Sequence, residues 1–281
     1  MNKLEMIEKV PDWIKEQKYQ EYAANTLKQY NTQILEFLNW VNHTNNITKK
    51  DTMEYKEYLY SIDPRPATST INTRIVVMNK FFKWLGCKDL LLKYIKQQVQ
   101  FSNDEILSIA DYKRLLRWSK NMELEQLYLI MKILAMTGIR ISELKYFTYE
   151  NIDYYITIFN KGKERQIILR QDLVREIRKY CREHNIRSGY IFKGAKKGKM
   201  ICESTIWRQM KKVAGKARVN KTKVHAHSFR HLFAQIYLSE YSDNITELAD
   251  ILGHSSLETT RLYTRTSNAQ KRNKLERLHF K

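Results

Sequence analysis

Apolar residues recur every third or fourth position along almost the whole chain, and the period drops to two in one short stretch. The longer period is that of a helix with one buried face, and the shorter one that of a half-buried strand. In NTLKQYNTQILEFLNWVN the stripe is Leu27, Tyr30, Ile34, Leu38 and Val41. In STINTRIVVMNKFFKWLG it is Ile71, Ile75, Met78, Phe82 and Leu85, with Gly86 as the stop. Thr48 and Asp51 have the spacing of a helix start, with Met53 and Leu59 following. Asp63-Pro64-Arg65-Pro66 separates these helices. Only 3 Pro and 8 Gly occur in 281 residues, which argues against a loop-rich all-β fold.

The second half opens with two more helical stretches, ADYKRLLRWSKN and ELEQLYLIMKILAMTGIR, the latter closing at Gly138. The period then changes: YYITIF and RQIIL flank NKGKE, the pattern of a β-hairpin with a basic turn. A helix (DLVREIRKYCREHN), a short strand (GYIF), a basic loop (KGAKKGKMI) and three further helical stretches follow. The expected fold is mainly α with a small β-hairpin, in two domains. Residues 1–100 form a helical bundle, 101–107 a polar linker, and 108–281 an α+β domain.

Charge divides the chain near the same point. Of the net +20, residues 1–105 hold +2, with 15 Lys/Arg against 13 Asp/Glu, and residues 106–281 hold +18. Between Lys161 and Lys223 lie 20 basic and 5 acidic residues. Such an excess implies a polyanionic partner, and nucleic acid fits better than an acidic membrane surface, because core-like segments interrupt the basic stretch. Cys87, Cys181 and Cys202 are far apart, so neither a zinc ribbon nor a disulfide framework is expected. The N-terminus lacks the apolar core of a signal peptide and no apolar run reaches 18 residues, so a cytoplasmic, nucleoid-associated protein is expected.

Four stretches could carry chemistry. Arg140 in TGIRISEL can fork onto phosphate oxygens or simply pair with Glu143. A lysine in NKGKER can reach into a DNA groove or be an ordinary solvated turn residue. HAHSFRH places His227 and His231 four apart, as metal ligands on a helix would be, but Arg230 lies between them and no carboxylate or thiol accompanies them. An anion site is the better reading. In LGHSSLETTRLYTR, His254 precedes Tyr263, one of 18 tyrosines. A phosphodiester attacked in line needs guanidinium groups for the charge on its non-bridging oxygens, a nucleophile, a base and an acid. A phenol ionises only about one part in a thousand at neutral pH and needs an adjacent cationic field. Arg, Lys, His-x-x-Arg, His and Tyr supply that set.

With TGIRISEL, NKGKER, HSFRH and LGHSSLETTRLYT together, the chain resembles the tyrosine recombinases, the phage-integrase and Xer-type superfamily. The resemblance covers nearly the whole chain: the first domain resembles the family's core-binding domain and the second its catalytic domain. It implies that Arg140 and Arg230 clamp the scissile phosphate, and that Lys161, or Lys163 if the turn shifts register, protonates the leaving 5′ oxygen. His227 would be the base, His254 would bond a non-bridging oxygen, and Tyr263 would attack to give a 3′-phosphotyrosine. Glu143 and His231 would be supporting residues. Lys163, Arg165, Lys196 and Lys197 are assigned to DNA contact. No cofactor or metal is expected. The expected partners are double-stranded DNA with an inverted-repeat core site, further copies of the chain forming a tetramer on two duplexes, and accessory DNA-bending proteins. The tail at 267–281 would dock on a neighbouring copy. Phe229 departs from the family's commoner Leu, and the chain has no room for an arm-site DNA-binding domain. The alternatives are a type IB topoisomerase-like relaxing enzyme and a catalytically inactive DNA-binding factor.

Overall fold

The computed structural model describes residues 1–42, 44–96, 107–160, 163–196, 198–241, 244–253, 260 and 276. The chain divides into two compact units, Met1–Gln100 and Phe101–Lys281.

Among the described residues the first unit holds four α-helices: α1 (Lys3–Tyr19), α2 (Ala24–Trp40), α3 (Lys49–Ser61) and α4 (Thr68–Trp84). Ile34, Leu38 and Val41 of the α2 stripe and Ile71, Ile75, Met78 and Phe82 of the α4 stripe are all buried in one core with Met6, Val10 and Trp13 of α1. Trp13 stacks on Tyr30 at 5.5 Å between ring centroids and tilts against Phe81. Thr48 and Asp51 make the expected reciprocal cap on α3, with Thr48 N–H donating to Asp51 Oδ2 at 2.7 Å. Gly86 follows α4 with φ +79°, a left-handed conformation that glycine adopts without a Cβ penalty. Met53 departs from expectation. It is 49% exposed, because the inner face of α3 is set by Thr52, Tyr55 and Leu59.

Beyond α4 the chain returns along the bundle. Asn79 donates to Leu92 O at 2.8 Å and accepts from Leu92 N–H at 2.9 Å. Two turns earlier on α4, Asn72 does the same to Ile95, at 3.0 and 2.9 Å. Lys49 and Lys56 cap the carbonyls of Leu91 and Lys93. An extended segment with no strand partner thus has its backbone satisfied by side chains. Most of the expected 101–107 linker lies outside the described residues, but its last member, Leu107, is buried in the core of the second unit.

In the second unit α5 (Ile109–Asn121), α6 (Glu125–Thr137), α7 (Gln171–Glu183), α8 (Glu203–Lys216), α9 (Ala226–Glu240) and α10 (Ile245–Leu252) surround a hairpin of β1 (Tyr155–Asn160) and β2 (Lys163–Ile168). α6 is the central element. Leu127, Leu129, Ile130, Met131, Ile133 and Leu134 are buried on it, and it packs against α5, α8 and α9. The hairpin is antiparallel, with Ile156 opposite Ile167, Ile158 opposite Arg165 and Asn160 opposite Lys163. Its inner face buries Ile156, Ile158 and Ile167, and its outer face exposes Tyr155, Phe159 and Ile168. GYIF does not form the expected strand. Gly189 has φ +69°, and pairing near it is limited to two isolated bridges, Thr148 with Tyr190 and Lys193 with Met200, while Ile191 and Phe192 are buried between them. No helix among the described residues is long and apolar enough to cross a membrane.

Candidate active site

Two helices stop at glycines in the left-handed conformation, and the site lies where they stop. α6 ends at Gly138 (φ +63°) and α10 at Gly253 (φ +65°). A Cβ on Gly138 would meet Phe233 at 2.6 Å and Leu252 at 2.7 Å. Helix ends leave their last carbonyls without intrahelical donors and carry partial negative charge. At α10 three successive carbonyls are each met by a guanidinium N–H. Arg165 Nη1 donates to Ile251 O (2.6 Å), Arg230 Nη2 to Leu252 O (2.7 Å) and Arg140 Nη2 to Gly253 O (3.2 Å).

Arg140 follows Gly138 by two residues and opens a 3₁₀ turn, Ile141–Tyr146. Glu143 in that turn is buried. Its carboxylate accepts the backbone N–H of Arg140 at 2.9 Å, the Arg140 guanidinium at 3.1 Å and Arg165 Nη2 at 2.7 Å. Arg230, in the first turns of α9, is buried, and its Nη1 donates to Gly138 O at 2.8 Å. It therefore ties the end of α6 to the end of α10.

His227 lies one turn before Arg230 and its ring meets that of His231 edge-on, 4.6 Å between centroids. Burial of the ring, then the positive charge of Arg230, repulsion from His225 whenever that ring is protonated, and the positive charge of Arg140 hold the His227 pKa below its ordinary value. His225 is held low by burial and by Lys211, and its Nε2 lies 2.9 Å from Ser228 Oγ. Both imidazoles are neutral at pH 7, the form a base needs. No group of three or more His, Cys, Asp or Glu residues able to hold a metal occurs among the described residues.

The structure thus gathers Arg140, Glu143, His227 and Arg230 from separated stretches of sequence. His231 stands beside His227. Lys163 begins β2, and Lys196 is exposed in the loop after Phe192. Lys161, Lys197, His254, Tyr263 and nearly all of the tail at 267–281 lie outside the described residues. Arg165 is not where a DNA-contacting cation is expected. Its side chain is 15% exposed and is engaged by Glu143 and Ile251. Strand alternation carries that signal, since 165 and 167 share a face and Ile167 is apolar. His225 was also not singled out from the sequence as part of the site.

Comparison with known proteins agrees with this architecture. The model of the phage integrase family matches residues 105–270, and that of the phage integrase N-terminal SAM-like domain matches residues 16–87. A tyrosine recombinase of Thermosipho africanus is 27% identical over 277 residues, covering 92% of this chain and 94% of its own. Tyrosine recombinase XerA of Pyrococcus furiosus is 28% identical over 269 residues, covering 92% and 89%. Among solved structures, XerH recombinase bound to its difH substrate superposes with a TM-score of 0.71 at 17% identity, covering 98% of this chain and 85% of that one. A lambda integrase tetramer bound to a Holliday junction does so with 0.75 at 15% identity, covering 95% and 80%. These two likenesses concern the fold, while the family model spans more than half of the sequence, and the chain belongs to the phage integrase family.

Proposed function

We propose that the protein is a site-specific tyrosine recombinase that cuts and rejoins DNA strands through a 3′-phosphotyrosine. The observation that carries this reading is the meeting of Arg140, Arg165 and Arg230 at one helix end, where Glu143 is the carboxylate bonded to two of them. Among the described residues this leaves an excess of positive charge in a partly buried place, next to an imidazole kept neutral. A phosphodiester passing through a transition state with charge on its non-bridging oxygens fits that field.

The residue roles follow from the chemistry. Arg140 and Arg230 hold the scissile phosphate. His227, neutral at pH 7, takes the phenolic proton of Tyr263, directly or through a relay. The phenolate oxygen forms the bond to phosphorus as the bond to the 5′ oxygen breaks, and Lys161 or Lys163 gives that oxygen its proton. His254 donates to a non-bridging oxygen. The phosphotyrosine retains the ester, so a 5′ hydroxyl of a partner duplex can attack it, returning the phenol and sealing a new junction without an external energy source. Exchange between two duplexes breaks four strands, which calls for a tetramer on DNA. Lys196 and Lys197, with the basic surface around them, contact the backbone.

The test is a covalent trap. Wild-type and Tyr263→Phe proteins are mixed with sheared host DNA and quenched in detergent, and the DNA left on the protein is sequenced. Wild-type adducts clustered at an inverted repeat, and none with Tyr263→Phe, are expected. Scattered adducts would favour a relaxing enzyme of the topoisomerase type. Adducts formed by Tyr263→Phe would remove Tyr263 as nucleophile.

A further inference from the structure

We propose that Arg165 is a positioning residue of this site, a forked bridge that locks the β-hairpin to both the Arg140–Glu143 pair and the last turn of α10. The proposal rests on the recombinase reading above and assigns a residue which that reading otherwise leaves among the DNA contacts.

The geometry is specific to a guanidinium. Nη2 reaches Glu143 Oε2 at 2.7 Å and Nη1 reaches Ile251 O at 2.6 Å, so one planar group spans two elements far apart in sequence. Register explains how the side chain gets there. Arg165 lies opposite Ile158, which is fully buried, and therefore on the inner face of the hairpin. The third nitrogen, Nε, is buried and has no hydrogen-bond acceptor. It lies instead against Gly253, where a Cβ would come within 2.7 Å of Nε and 2.6 Å of Cδ. Gly253 is thus required twice over, for its positive φ and for this approach.

What Arg165 holds bears directly on catalysis. Glu143 is shared between Arg165 and Arg140, so fixing one oxygen of the carboxylate fixes the frame in which the Arg140 guanidinium sits. The α10 turn that receives Arg165 also receives Arg230 and Arg140 on its next two carbonyls. In sequence, Arg165 is four residues from Lys161, and Gly253 immediately precedes His254. One side chain therefore joins the hairpin to the turn that carries Arg140 and to the α10 end that Arg230 also binds. Burial holds the Arg165 pKa below its ordinary value, with Glu143 offsetting part of that and the Arg140 charge adding to it, and the guanidinium stays charged. Lysine, a point donor on a flexible stem, keeps the charge but reaches one acceptor at a time.

The experiment uses the full chain and a nicked duplex bearing the site recovered in the covalent trap. It measures the single-turnover rate of adduct formation at saturating DNA, the DNA affinity and the melting temperature for wild type and Arg165→Lys. Misplacement of catalytic groups by about an ångström costs on the order of 100-fold in rate. Arg165→Lys is expected to lose about that factor while DNA affinity stays within about threefold. Combining it with Glu143→Gln should add little, because both act through the same carboxylate. Wild-type rate in Arg165→Lys would overturn the assignment, and so would weakened DNA affinity with an unchanged rate at saturation, the mark of a plain DNA contact. If the lysine variant does not fold, Arg165→Gln, which removes the buried charge, is measured in its place with the same expectation. If wild type forms no adduct on any DNA, the recombinase reading falls separately. Binding of inorganic phosphate by calorimetry then decides about Arg165: a loss of about tenfold in Arg165→Lys supports the bridge, and unchanged binding overturns it.

Discussion

His225 and His227 are two residues apart at the start of α9, and both are held below their ordinary pKa of 6.5, by burial first and by neighbouring cations second. The sign of the consequence follows from linkage. Between the lowered folded values and 6.5, the unfolded chain takes up protons that the folded chain refuses, so stability falls as pH drops through that window and is restored above 6.5. A ¹H–¹³C NMR titration of the DNA-free protein should show both rings titrating below 6.5, with a parallel fall in melting temperature on acidification. A His227 ring that titrates above 6.5 would mean that Arg230 and Arg140 do not act on it as the geometry requires. At this scale the sequence was readable where residue type is chemically scarce. Arg140 and Arg230 stand out only as members of a set with the histidines and Tyr263, since Arg140 alone reads equally as the partner of Glu143 that it is. Arg165 was harder. It sits in a basic turn sequence that looks solvated, and only the two-residue alternation with Ile167 indicates that it points inward.

Elements were legible wherever period and cap agreed. α3 begins at Thr48 and Asp51, α6 and α10 end on Gly138 and Gly253, and the hairpin lies where the period falls to two. GYIF is not legible as a loop because a short apolar run is equally consistent with a strand, and its neighbours pair only through isolated bridges. The return segment from Leu91 to Ile95 had no sequence signal, since its hydrogen bonds come from Asn72 and Asn79, amides that look like ordinary polar members of α4. Asn79 is buried and satisfies both the N–H and the C=O of Leu92. Asn79→Ala leaves both without partners, at a cost of about 2–4 kcal/mol. Urea unfolding should report that loss, and hydrogen exchange should show the Leu92 amide released. Asn72→Ala, whose partners at Ile95 are only part-buried, should cost less. Equal protection of Leu92 in wild type and Asn79→Ala would show that the segment is held by the burial of Leu90 and Leu92 alone.

Across the whole molecule, charge and chemistry are separated. The guanidinium groups of the candidate site are engaged by Glu143 and by backbone carbonyls, and Arg230 is buried. The larger part of the positive charge is on the surface: α8 buries Ile206, Met210, Val213 and Ala214 and exposes Arg208, Lys212 and Lys216. Each surface cation that meets a phosphate releases a condensed counterion, whereas a buried one contributes through the transition state. The two groups should therefore respond to different measurements. DNA affinity should fall steeply with salt, by roughly 10³–10⁵ between 50 and 200 mM if about six to ten phosphates are contacted. Replacing Arg208 and Lys212 by Gln should flatten the log–log slope by about two and leave the adduct rate at saturating DNA unchanged, since among the described residues neither side chain bonds to Arg140, Glu143, His227 or Arg230. Arg230→Ala should do the reverse, leaving the slope within about one unit and abolishing adduct formation. Fluorescence anisotropy across a salt series, paired with single-turnover assays, separates the two. A salt dependence that is flat in wild type would remove the polyanion argument. A slope that falls with Arg230→Ala as much as with the double α8 variant would mean that binding and catalysis use the same cations.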